Sequence, residues 1–256
     1  MMDIKMIVTD LDSTLLRTDK TISTYTAGIL QHCRDKGIKL IFATARPRRT
    51  VMQFVGDVET DALILHNGAV ISANGKLLAH NGIASSVKDS VLQALNRDFP
   101  HNTIAVEMDD LNYANFDMKA VWDYDEGVIS DFTDLPNRPA DKIVIGATSH
   151  EEISQYATYL PSDLYIQMCD GKLGLIMHKD ATKWKAIGDV CKHFGITTAQ
   201  AVAFGDDYND ITMLKGCGVG VAVANAIDEV KATADTTCAS NNDDGVAKWL
   251  EENLLN

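Results

Sequence analysis

Residues 4–10, IKMIVTD, form a compact apolar run ending in an aspartate, and the amphipathic stretch that follows, from about Ser23 to Lys36, stops at Gly37. An apolar run without alternation reads as a buried strand, and the periodic stretch after it as a helix. The pattern repeats at 38–43, which leads through Thr44 and Arg46 to Pro47, a residue suited to the first turn of a helix because its missing N–H would be unpaired there. After a short strand at 62–65, Asn67-Gly68 and Asn74-Gly75 bracket AVIS and precede KLLAH, turn chemistry that predicts a hairpin. The alternation resumes beyond His178 with helix 181–194, strand 201–204, helix 208–215, strand 218–223, helix 226–231, strand 234–237 and a closing helix to Leu254. This order predicts an α/β fold, a Rossmann-like core whose parallel sheet carries helices on both faces and binds ligands outside the carboxyl ends of its strands.

Between the two halves the reading is helix 85–97, two strands, a short helix, strand 141–147, helix 150–159 and a strand pair at 164–168 and 172–177. That is a second α/β unit, and its charge sets it apart. Residues 82–178 hold 6 Lys and Arg against 16 Asp and Glu, or −10 of the chain's −13. The expected organisation is therefore a core formed by 1–81 and 179–256 with an inserted domain at 82–178. The acidic balance would repel nucleic acid and an anionic membrane surface, so neither is an expected partner. No apolar run reaches the roughly 20 residues of a membrane helix. With Asp3 and Lys5 beside a short strand, the N-terminus does not read as a signal peptide, and cytoplasm is the expected location. The five cysteines are far apart, without paired metal-ligand spacing, and read as reduced thiols. The oligomeric state is left open.

Four strand ends carry the candidate chemistry. In DLDST, Asp10 and Asp12 follow a run too apolar for a surface loop. Crowded buried carboxylates are costly unless a cation neutralises them, which points to a metal, and aspartate is also a phosphoryl acceptor. The plain alternative is a turn with a capping aspartate. Thr44 and Arg46 precede a helix where backbone N–H groups and a hydroxyl can cradle an anion, or can simply cap. Lys183 opens the helix that restarts the core, a place where a cation gains nothing from the helix dipole. GDDYND sets Asp206, Asp207 and Asp210 between a strand and a helix, where three carboxylates can simply cap that helix.

Taken in this order and on these elements, Asp10, Asp12, Thr44, Lys183, Asp206 and Asp210 resemble the haloacid dehalogenase superfamily of phosphohydrolases, in its Cof-like branch. HNGA at 66–69, GVGVAVANAIDEVK at 218–231 and NNDDGVAKWL at 241–250 extend the likeness over essentially the whole chain. The resemblance implies a magnesium-dependent phosphatase of small phosphorylated metabolites, such as sugar, polyol or cofactor monophosphates, acting through an aspartyl-phosphate. It further implies that the insertion is a substrate-specificity cap over the active site. Asp10 would be the nucleophile and Asp12 the general acid, while Thr44, Lys183 and Asn209 would grip phosphate, with Arg46 a lesser candidate. Mg2+ would be held by Asp10 and Asp206 with the Asp12 backbone carbonyl, and Asp210 would support the metal shell or Lys183.

Relatives usually carry DxDGT, whereas this chain has Ser13 in the glycine's place. If the turn needs positive φ there, serine adds strain of order 1 kcal/mol; otherwise its hydroxyl can cap the next segment. Tyr113, Phe116, Trp122 and Tyr124 of the insertion read as core fillers before they read as ligand-stacking groups. Three other functions use similar parts. A signalling receiver domain shares the acceptor aspartate, but it is about half this length and lacks Asp12 and the insertion. A phosphomutase on the same core and a phosphate- or metal-binding relative without turnover both stay open.

Overall fold

The computed structural model describes residues 3–56, 58–122, 127–169 and 171–255. The chain opens with β1 (Met6–Thr9), α1 (Thr24–Asp35), β2 (Lys39–Ala43), α2 (Arg48–Phe54), β3 (Ala62–Leu65), β4 (Val70–Ala73) and β5 (Lys76–His80). Next come α3 (Ser85–Asp98), β6 (Ile104–Met108), β7 (Leu111–Ala114), α4 (Met118–Trp122), β8 (Val128–Ile129), β9 (Lys142–Gly146), α5 (His150–Ala157), β10 (Leu164–Cys169) and β11 (Leu173–His178). It ends with α6 (Lys183–Phe194), β12 (Ala201–Gly205), α7 (Ile211–Gly216), β13 (Val219–Val223), α8 (Asp228–Lys231), β14 (Thr236–Cys238) and α9 (Gly245–Leu250). Two compact units result, Met1–Ala79 with Thr182–Asn256, and His80–Ala181.

The first unit is an eight-stranded sheet in the order β14-β13-β12-β1-β2-β3-β4-β5. Pairing is parallel from β14 to β3 and turns antiparallel at β4. The apolar runs explain why the sheet is covered on both faces: all of β1, and all of β12, is buried, so neither strand can turn a face to water. α1 and α9 pack together, and α6 and α7 form a second pair against the strands. β4 and β5 are joined by Asn74 and Gly75 at φ 50° and 74°, the left-handed conformation that the Asn-Gly turn supplies.

Two boundaries differ from the sequence reading. Pro47 stands just before α2, with ψ 161°, so it caps the helix rather than forming its first turn. The helix expected at 208–215 is broken into a tight turn at Tyr208–Asp210 followed by α7, because the Asp210 side chain is drawn back to the N–H groups of Asp206 and Asp207.

The second unit is a six-stranded sheet in the order β10-β11-β9-β6-β7-β8. The two-residue β8 is too short to give a periodic signal. One core joins Val91, Leu92 and Leu95 of α3 to Ile104, Val106, Ile143 and Ile176 on the sheet and Tyr156 of α5. A smaller cluster on alternate strand positions gathers Ala105, Ala114 and Val144 with Met118 of α4. The aromatic side chains follow this division: Tyr113 packs against the larger core, while Phe116 and Trp122 meet edge to face at 4.4 Å beside the smaller one. Tyr124 lies outside the described residues. No helix among the described residues is long and apolar enough to cross a membrane.

Lys88 is fully buried in this unit, its ammonium donating to the carbonyls of Pro136 (2.8 Å) and Arg138 (3.2 Å). Replacing it by methionine keeps the volume but leaves those carbonyls unsatisfied. Lys88→Met is expected to destabilise the unit by about 1–3 kcal/mol and to speed amide exchange across 132–140.

Candidate active site

Strand order fixes where the site lies. β1 has β2 on one side and β12 on the other, so the sheet's winding reverses at β1, and the crevice at its carboxyl end is where such folds hold ligands. Thr9 pairs with Phe42 and with Phe204, which brings Asp10 beside Gly205; the Asp10 N–H donates to the Phe204 carbonyl at 3.0 Å. The carboxylates read from opposite ends of the chain thus meet.

At their centre is Lys183, the first residue of α6 and only 1% exposed. Its Nζ donates to Asp10 Oδ1 at 2.5 Å and to Asp210 Oδ1 at 2.7 Å. The other Asp210 oxygen accepts from the N–H groups of Asp206 (2.9 Å) and Asp207 (3.2 Å), so one carboxylate ties the lysine to the loop after β12. Only glycine allows this at 205, because a Cβ there would sit 2.5 Å from the Cβ of Asp210. Asp206 Oδ1 accepts the Thr14 hydroxyl at 2.6 Å. Asp10, Asp206 and Asp210 each bring an oxygen within 4.8 Å of the other two. Once all three are ionised, three carboxylates against one ammonium leave an excess of two negative charges, and oxygen donors at this spacing suit a divalent cation.

Burial pushes Asp10 up to about 8 against the pull of Lys183, with the Asp210 and Asp206 charges adding to the rise. Burial likewise raises Asp206 to about 6; the Thr14 hydrogen bond opposes it and the Asp210 charge reinforces it. Lys183 moves above the usual lysine range, since burial, which disfavours its charge, is outweighed by Asp10 and Asp210.

Asp12 belongs to a second group. Its carboxylate is held in a fork by Arg46, with Nε at 2.5 Å and Nη2 at 2.8 Å, and also accepts Lys20 Nζ at 2.6 Å. Burial favours the neutral acid, but the hydrogen bonds and charges of Arg46 and Lys20 prevail and hold Asp12 below the usual carboxylate range. The Arg46 guanidinium also stacks 4.7 Å from the centre of the Phe54 ring. Thr44, 1% exposed at the end of β2, accepts the Arg46 N–H at 3.2 Å. Asn209 is exposed and donates to Asn67 Oδ1 at 2.9 Å. Ser13 adopts φ 59° and ψ 3°, so the turn does require positive φ and serine carries the strain.

The structure adds Lys20 and Thr14 to the site residues expected from the sequence. Thr14 could have been found as the last residue of DLDST, four positions beyond Asp10. Lys20 sits in a loop without periodicity and gave no signal.

A haloacid dehalogenase-like hydrolase family model matches residues 7–250. The chain belongs to that family, and within it to the Cof-like phosphatases. The 5-amino-6-(5-phospho-D-ribitylamino)uracil phosphatase YitU of Bacillus subtilis is 28% identical, with 96% of each chain covered. A Haemophilus influenzae protein provisionally named a phosphatase is 31% identical, with 97% of each covered. A crystal structure from Eubacterium rectale superposes with a TM-score of 0.90 at 22% identity, covering 98% of this chain and 100% of that one, and supports the fold.

Removing Lys183 would leave Asp10 and Asp210 facing each other without a cation. Lys183→Met is expected to destabilise the protein by about 3–5 kcal/mol in thermal unfolding, with a smaller loss near pH 5, where the carboxyls can take up protons.

Proposed function

We propose that the protein is a magnesium-dependent phosphatase of small phosphorylated metabolites that works through an aspartyl-phosphate at Asp10. The observation that carries this reading is the gathering of Asp10, Asp206 and Asp210 around the buried Lys183 at the ends of β1 and β12. Mg2+ fits the donor set, and Asp10 and Asp206 would hold it with the Asp12 carbonyl. When bound, it would supply positive charge to the phosphoryl oxygens.

With Asp10 Oδ1 held by Lys183, Oδ2 is the oxygen that attacks phosphorus as the ester bond breaks. Asp12, having taken up a proton from solvent, gives it to the leaving oxygen and recovers one from the water that hydrolyses the acyl phosphate. To do so its carboxyl must exchange Arg46 and Lys20 for the leaving group. Thr44 and Lys183 grip phosphoryl oxygens, Asn209 is a further phosphate contact, and Asp210 keeps Lys183 in place. Residues 1–81 and 179–256 form the catalytic core in this reading, and 82–178 choose the leaving group. The Bacillus subtilis relative is named for a phosphate ester on a ribityl chain, which favours sugar, polyol or cofactor monophosphates here. The charge of −10 over 82–178 disfavours polyanionic leaving groups.

Purified protein with Mg2+ is expected to release phosphate from at least one member of a panel of sugar, polyol, nucleotide and cofactor-precursor phosphates, monophosphates leading over bisphosphates. Asp10→Asn is expected to lower the rate by roughly three orders of magnitude or more. No release from any ester would shift the assignment to a mutase or a binding protein.

A pH dependence follows as well. Asp10 and Asp206 are raised to about 8 and about 6, so their neutral forms are the ones the metal-free fold favours. That stability is present below the ordinary carboxylate range and is lost as pH rises through 6 to 8. Saturating Mg2+ is therefore expected to raise Tm more at pH 8 than at pH 5, and equal shifts would count against binding at these carboxylates.

A further inference from the structure

The NNDDG segment, Asn241–Gly245, has no part in the chemistry above, yet its side chains converge on one stretch of the core. Asp244, itself at φ 57°, accepts hydrogen bonds from Arg17 Nη2 (2.7 Å), Ser23 Oγ (2.7 Å) and Thr26 Oγ1 (3.0 Å). Asn242 accepts the Thr18 N–H and donates to the Thr18 hydroxyl, both at 2.9 Å. Asn241, 5% exposed, donates to the Leu16 carbonyl at 2.9 Å. Its own N–H donates to Asn225 Oδ1 at 3.0 Å, and Asn225 Nδ2 donates to the Ser13 carbonyl at 2.7 Å.

Apart from the bond between Asn241 and Asn225, all of these land within residues 13–26, and that stretch is under local strain. Ser13 and Lys20 are both non-glycine residues at positive φ, 59° and 65°. The same stretch supplies two side chains that touch site carboxylates, Thr14 on Asp206 and Lys20 on Asp12. A strained loop holds such groups in place only when its surroundings over-determine it, and a fraction of an ångström decides whether reacting groups meet productively.

We propose that Asn225, Asn241 and Asp244 form a positioning set, which acts through residues 13–26 to hold Thr14 against Asp206 and Lys20 against Asp12. The inference rests on the phosphatase reading above for its effect on rate, and on the loop alone for its effect on structure. Asp244 does more than cap α1: Ser23 and Thr26 belong to that cap, whereas Arg17 lies upstream of it, on the strained side.

The test compares the full-length wild type with Asp244→Ala, Asn225→Ala and Asp244→Asn. On the best ester of the panel with Mg2+, Asp244→Ala is expected to lower kcat by about 10²-fold with KM within about threefold. Asn225→Ala is expected to lose roughly tenfold, and Asp244→Asn, which keeps an acceptor oxygen for Ser23 and Thr26 but sets an amide N–H against Arg17, to restore the α1 cap while retaining most of the Asp244→Ala loss in kcat. Amide exchange across 11–26 should quicken in both alanine variants while 6–9 stays protected. Unchanged kcat in both alanine variants, or faster exchange spread over the whole core, would overturn the proposal. If the wild type releases phosphate from no ester, the phosphatase reading fails and the exchange comparison alone decides: local quickening supports the positioning set, and its absence refutes it.

Discussion

One buried ammonium organises the core of this protein. Lys183 lies between Asp10, which ends the first strand, and Asp210, whose other oxygen gathers the backbone of the loop after β12. Each carboxylate would be costly to bury alone, and the lysine would be costly without them, so the three groups are stable only as a set. Because the fold's net stability is only about 5–15 kcal/mol, a set of this kind has a large say in whether the crevice exists at all. The charge left over after Lys183 is counted is the property that a divalent cation would satisfy.

The sheet makes this set possible. A chain that winds outward from β1 in both directions leaves one strand end flanked by two others, and parallel pairing puts all their carboxyl ends on the same edge. Thr9 and Phe204, far apart in the sequence, therefore become neighbours through backbone pairing, which sets Asp10 beside Gly205 before any side-chain preference is exercised. Gly205 completes the arrangement by removing the one Cβ that would keep Asp210 from tucking beneath the loop.

Much of this was legible in the sequence because it depends on patterns that survive without coordinates. Continuous apolar runs marked β1, β2 and β12, and the polar residues just beyond them had to share an edge once the strands were parallel. The partners of Asp12 were not legible. The sequence makes Arg46 only a lesser phosphate candidate and does not tie it to Asp12, on which its fork closes, and Lys20 reaches the same carboxylate from a turn whose left-handed residue is a lysine. Neither periodicity nor residue type announces a side chain that is aimed by an unusual φ. At Pro47 and at Tyr208–Asp210 local propensity favours helix, and a cap or a side-chain hydrogen bond shifts the boundary.

The pairing of β1 with β12 also has a consequence for how the protein is made. During synthesis the first five strands emerge early, but the strand that completes the environment of Asp10 leaves the ribosome about two hundred residues after β1. The unit at His80–Ala181 is contiguous and has its own core, so it can fold while the first segment still waits for its partner. The carboxylate cluster is thus among the last features to be assembled, and a nascent chain holds no competent crevice until its C-terminal third is in place.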